Sequence, residues 1–309
     1  MKIYRDLDNL PIIKNAVLTI GSYDGVHIGH QKIIKKINDL AKSIGGQSVL
    51  ITFYPHPRLI VSNDSHNLRL LNTLEEKISL LKEYKIDVLV IVPFSLKFAA
   101  QSPDQYIVDF LVANFKPSII TIGYDHKFGK NREGNISYLK KFEEQYKFRV
   151  IEISKQEVAD IAVSSTKVRN ALYRGEVSKA SQLLGHVYSI QGKVVKGTQI
   201  GNKIGFPTAN IEVSDKHKLI PPAGIYAVHV YHDNTSYHGM LYIGNRPTIN
   251  KDLEQTIEVN IFDFNLNIYG HILKIDFVEF LRSDKKFNSL EELQIQLQKD
   301  KDLAQKVLN

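Results

Sequence analysis

The sequence predicts an α/β domain built on a parallel sheet, followed by a small antiparallel β-barrel domain with a C-terminal helix. Three observations predict it. The chain has 309 residues, against roughly 150 for a single domain. Its first half alternates short apolar runs with helical patterns, which implies a parallel sheet flanked by helices. Beyond about residue 185 the hydrophobic period changes to two, the signature of half-buried strands.

In chain order, buried strands are expected at 16–20, 48–53, 88–92, 118–122 and 148–153. Between the first two, Ile33, Ile34, Ile37, Leu40, Ala41 and Ile44 form one apolar stripe. Lys32, Lys35 and Lys36 face water, and Gly45-Gly46 ends the helix. A helical segment is expected over 166–183, with the domain boundary at 184/185. In the second half Ile225, Ala227, His229 and Tyr231 alternate with Tyr226, Val228 and Val230. Further strands are expected at 188–195, 237–243, 256–261 and 272–280. Closing them into a barrel removes exposed edges. An amphipathic helix over 290–308 is expected to cover it.

Composition narrows the chemistry. With no cysteine, disulfides, thiolate nucleophiles and Cys-ligated zinc are excluded. The net charge of +7 suits nucleic acid and equally a site for polyphosphates. Aromatic and basic residues never cluster into an RNA-binding motif, so nucleic acid is not an expected partner. Residues 1–9 lack the apolar block of a signal peptide, and no run approaches the roughly 20 apolar residues of a membrane span. A cytoplasmic protein without membrane contact is expected, and no obligate protein partner is inferred.

The first strand ends in Gly21-Ser22-Tyr23-Asp24-Gly25-Val26-His27-Ile28-Gly29-His30, at the carboxyl end of a parallel strand, where ligands bind in such sheets. Gly29 lets a phosphate approach a helical turn whose free N–H groups favour anions. His27 and His30, three apart, project to one side and could stabilise charge on a pentacoordinate phosphorus. A His pair at this spacing is often incidental, and without a third ligand it is poor support for zinc. No GxxxxGK[ST] or GxGxxG segment occurs, which removes the P-loop and the ordinary dinucleotide fold.

Farther on, Ser164, Ser165 and Thr166 offer hydroxyls at a helix start, and Arg169 a fork for phosphate oxygens; alone they read equally as an N-cap with a surface Arg. In the second half Gly201-Asn202-Lys203-Ile204-Gly205-Phe206-Pro207-Thr208-Ala209-Asn210 places Thr208 and Asn210 on one face of an extended segment. Their oxygens suit Mg²⁺ shared with phosphates and water. From spacing alone a glycine-rich turn with capping side chains is the favoured alternative.

These segments resemble the bifunctional prokaryotic riboflavin kinase/FAD synthetases. The run from Gly21 to His30 is similar to the family's first motif, and Thr52-Phe53-Tyr54-Pro55-His56-Pro57 to its second. Gly123-Tyr124-Asp125-His126-Lys127-Phe128-Gly129 resembles the third, and Ser164 to Arg169 the fourth. The GFPTAN run at 205–210, Pro222-Ala223-Gly224-Ile225-Tyr226-Ala227, Gly244-Asn245-Arg246-Pro247-Thr248 and Thr256-Ile257-Glu258-Val259 resemble the kinase half. His126-Lys127 and Asn202 depart from the family pattern.

The resemblance implies a Rossmann-like HxGH nucleotidylyltransferase domain, the FMN adenylyltransferase, at 1–184 and a flavokinase barrel at 185–309. It implies ATP and Mg²⁺, with riboflavin and FMN as substrates and FAD as product. His27, His30, Thr166 and Arg169 would serve ATP phosphates and the transition state. Gly21, Tyr23, Asp24, Gly29, Asp125, Ser164 and Ser165 would contact nucleotide or flavin. Gly201, Gly205, Phe206, Pro207, Thr208 and Asn210 would bind ATP, with Thr208 and Asn210 also on the metal. Glu258 would be the general base and Arg282 a contact near the flavin. A single active domain, and a flavin-binding protein without turnover, are the competing readings.

Overall fold

The structure, a computed structural model, describes residues 1–62, 67–154, 163–197, 201, 204–247 and 253–309. Asn202, Lys203 and Thr248 therefore lie outside the described residues. Two compact units are present, residues 1–165 and 166–309.

In the first unit, strands β1 (Lys2–Tyr4), β2 (Ala16–Ile20), β3 (Gln47–Tyr54), β4 (Val88–Pro93), β5 (Ile119–Gly123) and β6 (Arg149–Ile153) form one sheet, ordered β1-β4-β3-β2-β5-β6. Every pairing is parallel. The five expected strands are all present; β1, three residues long and without a buried position, carries no periodic signal. Leu18, Ile20, Val49, Ile51, Val88 and Val90 meet one apolar cluster with Tyr106, Ile107, Phe110 and Phe115. On the opposite face Leu50, Leu89 and Ile91 meet Ile34, Ile78 and Leu81. Burial on both faces explains why the strands read as continuous apolar runs.

Helix α1 (Ile28–Ser43) buries Ile34, Ile37 and Ala41, each large aliphatic contributing about 1.5–3 kcal/mol. Its stripe stops one residue short of the expectation, because Ile44 is the C-cap and stands exposed. Gly45 then turns with φ +60°, a left-handed conformation natural to glycine. Helix α2 (Leu74–Glu83) begins with a reciprocal capping box between Thr73 and Glu76. The chain places β3 and β4 on one side of β2 and β5 on the other, so the topological switch lies between β2 and β5. Ligands of open α/β sheets bind outside the carboxyl ends of the strands at that point.

The second unit contains helices α3 (Ser165–Tyr173, from its second residue) and α4 (Val177–Leu184). The single helix expected over 166–183 is broken at Gly175, whose φ is +73° and beside which Phe280 and Pro222 approach. Ser178 Oγ donates to Glu279 on the barrel at 3.1 Å. Helices α3 and α4 thus count with the barrel.

Strands β7 (Ser189–Val195), β8 (Ala209–Glu212), β9 (Gly224–His232), β10 (Thr235–Pro247), β11 (Leu253–Ile261) and β12 (Ile272–Ser283) close a barrel in the order β10-β11-β8-β7-β12-β9. All pairings are antiparallel. Helix α5 (Leu290–Leu308) packs Leu297, Ala304 and Val307 on Ile225, Ala227 and Met240. That cover buries both faces of the start of β9. At His229 and Tyr231 the outward positions become partly exposed, restoring the alternation of period two.

Candidate active sites

The first site stands at the carboxyl end of β2. His27 is the N-cap of α1, and its Nδ1 accepts the His30 backbone N–H at 3.3 Å. That bond leaves Nε2 to carry the proton of the neutral ring. The His27 and His30 rings stack with centroids 3.7 Å apart and planes 14° apart. Burial holds the His30 imidazole well below its ordinary pKa, and His27 and Lys77 push it in the same direction. At neutral pH His30 is therefore an uncharged donor, and its buried Nδ1 has no hydrogen-bond partner among the described residues.

The loop that aims this pair is tied down on all sides. Asp24, buried, accepts the backbone N–H groups of Leu71 at 2.9 Å and Asn72 at 3.4 Å with Oδ1. Lys77 Nζ donates to Ser22 O at 2.7 Å, and Thr52 Oγ1 to the same carbonyl at 3.2 Å. Tyr23 is buried under the loop, its hydroxyl 2.7 Å from Thr19 Oγ1. Ser165 Oγ donates to Asp24 O at 2.9 Å. Tyr23, Asp24 and Ser165 thus shape the loop. Gly25 and Val26 take φ of +85° and +41°, and Gly29 is buried in the first turn of α1.

Lys77 is a cation the motif reading missed, although the Thr73/Glu76 capping box preceding it was visible in sequence. Its ammonium pKa is lowered by burial and partly restored by Asp24. At the neighbouring carboxyl end, Asp125 lies two residues beyond β5 and is exposed. Gly21 and Asp125 therefore follow the carboxyl ends of the two strands that flank the switch point. His126 has a buried Nε2 without a partner among the described residues, and burial lowers its pKa to about 4 against a rise from Asp125 and a further fall from Arg132. Ser164 is exposed and Arg169 is buried on α3 with Thr166 exposed three residues before it.

The second site lies on the outer face of the barrel. Glu258 on β11 stands opposite Asn210 on β8, so their side chains share a face. Thr208 Oγ1 donates to Glu258 Oε2 at 3.1 Å. Pro207 O accepts Asn260 Nδ2 at 2.7 Å, and Gly201 O accepts the N–H groups of Ile204 and Phe206 at 3.2 and 2.9 Å. Gly205 takes φ +79°. Phe206 is buried with the α5 cluster, where it anchors the loop.

A Cβ on Gly197 would overlap the Asn210 side-chain amide, so only glycine leaves that amide in place. Gly197→Ala is expected to lower FMN formation about tenfold or more, of the order seen when positioning is lost, with FAD formation from supplied FMN unchanged. Separate rate measurements of the two products check it.

Beside Thr208 a cleft of about 380 Å³ is lined by Val194, Ala209, Val259 and Ile261 together with the loop carrying Phe264, Leu266, Ile268 and Tyr269. The strand residues point into the barrel, so the cleft is its mouth. A cleft that mixes aliphatic and aromatic side chains with the polar groups of Thr208, Asn265 and Asn267 suits a flat ring with polar edges.

Arg282 stands opposite Ile225, which stands opposite Tyr242, which stands opposite Glu258, three steps around the closed barrel. Its Nε and Nη2 donate to the two oxygens of buried Asp300 at 2.8 and 2.6 Å. Arg282 thus fastens α5 to β12. Arg282→Met would strand a buried carboxylate and is expected to cost about 3–5 kcal/mol, lowering the melting temperature of the barrel unit, which differential scanning calorimetry measures.

Comparison with known proteins matches each half of the chain to a family. The FAD synthetase family model matches residues 10–167, and the riboflavin kinase family model matches residues 184–308. A protein of Listeria monocytogenes named bifunctional riboflavin kinase/FMN adenylyltransferase is 38% identical, over 93% of this chain and 90% of that one. One of the same name from Buchnera aphidicola is 36% identical over 100% and 99%. A crystal structure titled as a macrolide-efflux protein from Streptococcus pneumoniae superposes with a TM-score of 0.85, 28% identity and 98% coverage of both chains. Among the described residues no helix is long and apolar enough to cross a membrane. With two halves matched in order and the relatives covered nearly end to end, the chain belongs to the bifunctional riboflavin kinase/FAD synthetase family.

Proposed function

We propose that the two sites carry the two steps in turn, the barrel phosphorylating riboflavin to FMN and the N-terminal domain transferring AMP from ATP to FMN with release of pyrophosphate. Family membership supports both activities. The observation that carries the assignment of steps to sites is the Thr208–Glu258 hydrogen bond at 3.1 Å. It sets a carboxylate against hydroxyl chemistry in one unit, while the stacked His27 and His30 serve phosphorus in the other.

In the kinase step Glu258 accepts the proton of the riboflavin primary alcohol and orients the oxygen for attack on the γ-phosphorus. Thr208 Oγ1 and the Asn210 side-chain oxygen are hard donors too few to complete a coordination shell, which fits Mg²⁺ shared with phosphates and water. When bound, the ion neutralises charge on the β- and γ-phosphates. Gly201, Gly205 and Pro207 shape the loop against the nucleotide, and the cleft beside Thr208 receives a ring of the substrates.

In the adenylyl step His27 and His30 donate to phosphate oxygens as the FMN phosphate attacks the α-phosphorus and the bond to pyrophosphate breaks. Gly21 and Gly29 admit the phosphates close to the backbone. On motif resemblance, Asp125 contacts nucleotide or flavin, and Ser164, Thr166 and Arg169 serve ATP phosphates. The functional division is proposed at 184/185, at the start of the riboflavin kinase match.

The test is chromatography of products from riboflavin, ATP and Mg²⁺, with a parallel reaction started from FMN. FAD from both supports the proposal. FMN alone, FAD only from FMN, or no conversion would each reject it in favour of one active domain or a binding protein.

A further inference from the structure

We propose that the end of the barrel holds a second, transition-metal site, in which His232, Asp233 and His271 bind a divalent ion of the zinc class and so staple the loop that walls the kinase cleft. One ligand atom from each of the three residues lies within 4.8 Å of the other two.

The ligands sit on rigid backbone. His232 ends β9, and Asp233 and Asn234 form a two-residue hairpin loop to Thr235, with φ of +47° and +65°, the conformation of a tight type I′ turn. His271 precedes β12. Its N–H donates to Ile268 O at 3.0 Å and its carbonyl accepts Val194 N–H at 2.9 Å. His232 is buried, its ring edge-on to Phe264 at 6.0 Å. Asp233 and His271 are exposed.

The spacing suits a small tetrahedral ion. Two nitrogens bound at about 2.0–2.1 Å lie roughly 3.3 Å apart. His232 Nε2 and Asp233 Oδ2 are already 3.4 Å apart. His232 Nε2 and His271 Nδ1 are 2.8 Å apart and share a hydrogen. An outward swing of the exposed His271 ring by about 0.5 Å opens the pair. The shared proton moves to the other nitrogen of the ring that donated it, so both rings ligate while neutral. Two imidazoles and one carboxylate favour Zn²⁺, Co²⁺ or Ni²⁺ over Mg²⁺, whose preference is for oxygen. This donor set therefore differs from the Thr208–Asn210 pair.

The position gives the site a consequence. Phe264, Leu266, Ile268 and Tyr269 wall the cleft beside Thr208, and the same segment runs directly into His271. A metal joining His271 to the β9–β10 hairpin fixes one end of that wall, and Phe264 against His232 fixes the other.

Tag-free full-length protein should be titrated with Zn²⁺ alone by calorimetry and with Co²⁺ by visible absorption, without nucleotide. Expected are one high-affinity ion per chain and the strong d–d bands of a four-coordinate site. His271→Ala should weaken binding about 100-fold or more, since loss of mere outer-shell partners costs 10–100-fold. Asp233→Asn should weaken it less. Both residues are exposed, so circular dichroism should show both variants folded. Hydrogen exchange of residues 263–271 should slow with Zn²⁺ in the parent and not in His271→Ala. Absence of stoichiometric binding up to millimolar Zn²⁺, or parental affinity in both variants, would overturn the site. Binding with unchanged exchange of 263–271 would overturn the staple.

Discussion

His30→Ala is expected to lower FAD formation from FMN and ATP by about 10²–10³ in kcat, the loss that follows removal of one preorganised donor to a developing charge. FMN formation from riboflavin should be unaffected. The reasoning rests on where His30 stands and in which state. Stacked on His27 at 3.7 Å, with its pKa held well down by burial and two neighbouring cations or imidazoles, it is a neutral donor needing no deprotonation. The residue is one turn into α1, where its Cβ is held by the helix that Ile34, Ile37 and Ala41 fix to the sheet. His30→Asn retains a donor at shorter reach and should recover part of the rate, whereas a purely structural role would leave Ala and Asn alike. Initial rates of FAD and FMN formation, measured separately, check both parts.

The sequence was most informative where one physical rule acted alone. Parallel strands buried on both faces appear as apolar runs, so β2 to β5 were legible almost to the residue. The turns with His27, His30, Thr208 and Asn210 stood out through family resemblance, since spacing alone reads equally as an incidental His pair and a capped glycine-rich turn. What stayed hidden depended on partners far away in sequence. Lys77 joins the first loop only because α2 is folded onto Ser22. Asp300, on another element, holds the Arg282 fork and so fastens α5 to β12. Ile44 fits the stripe of α1 but is its C-cap, one residue past the helical end at Ser43. The π-wound stretch Tyr106–Val112 likewise has no periodic signature distinct from an α-helix.

Glu258→Gln carries the second large effect: FMN formation should fall by about 10²–10⁴, the usual worth of a positioned general base, while FAD formation from supplied FMN continues. Gln keeps the size of the side chain and an oxygen for the Thr208 hydroxyl at the 3.1 Å position, so the fold and the placement of Thr208 are retained. What it removes is the negative charge and the basicity that draw the proton from the alcohol. A base lost with its scaffold intact lowers kcat with little change in the KM for riboflavin. Glu258→Ala, by contrast, also releases Thr208 and should raise the KM for ATP and Mg²⁺ in addition. If Gln and Ala were equal in kcat and KM, Glu258 would act only as a support for Thr208, and the proton would have to leave by another group at the barrel mouth. The comparison separates base from scaffold because Thr208 and Glu258 are joined by a single hydrogen bond that one variant preserves and the other breaks.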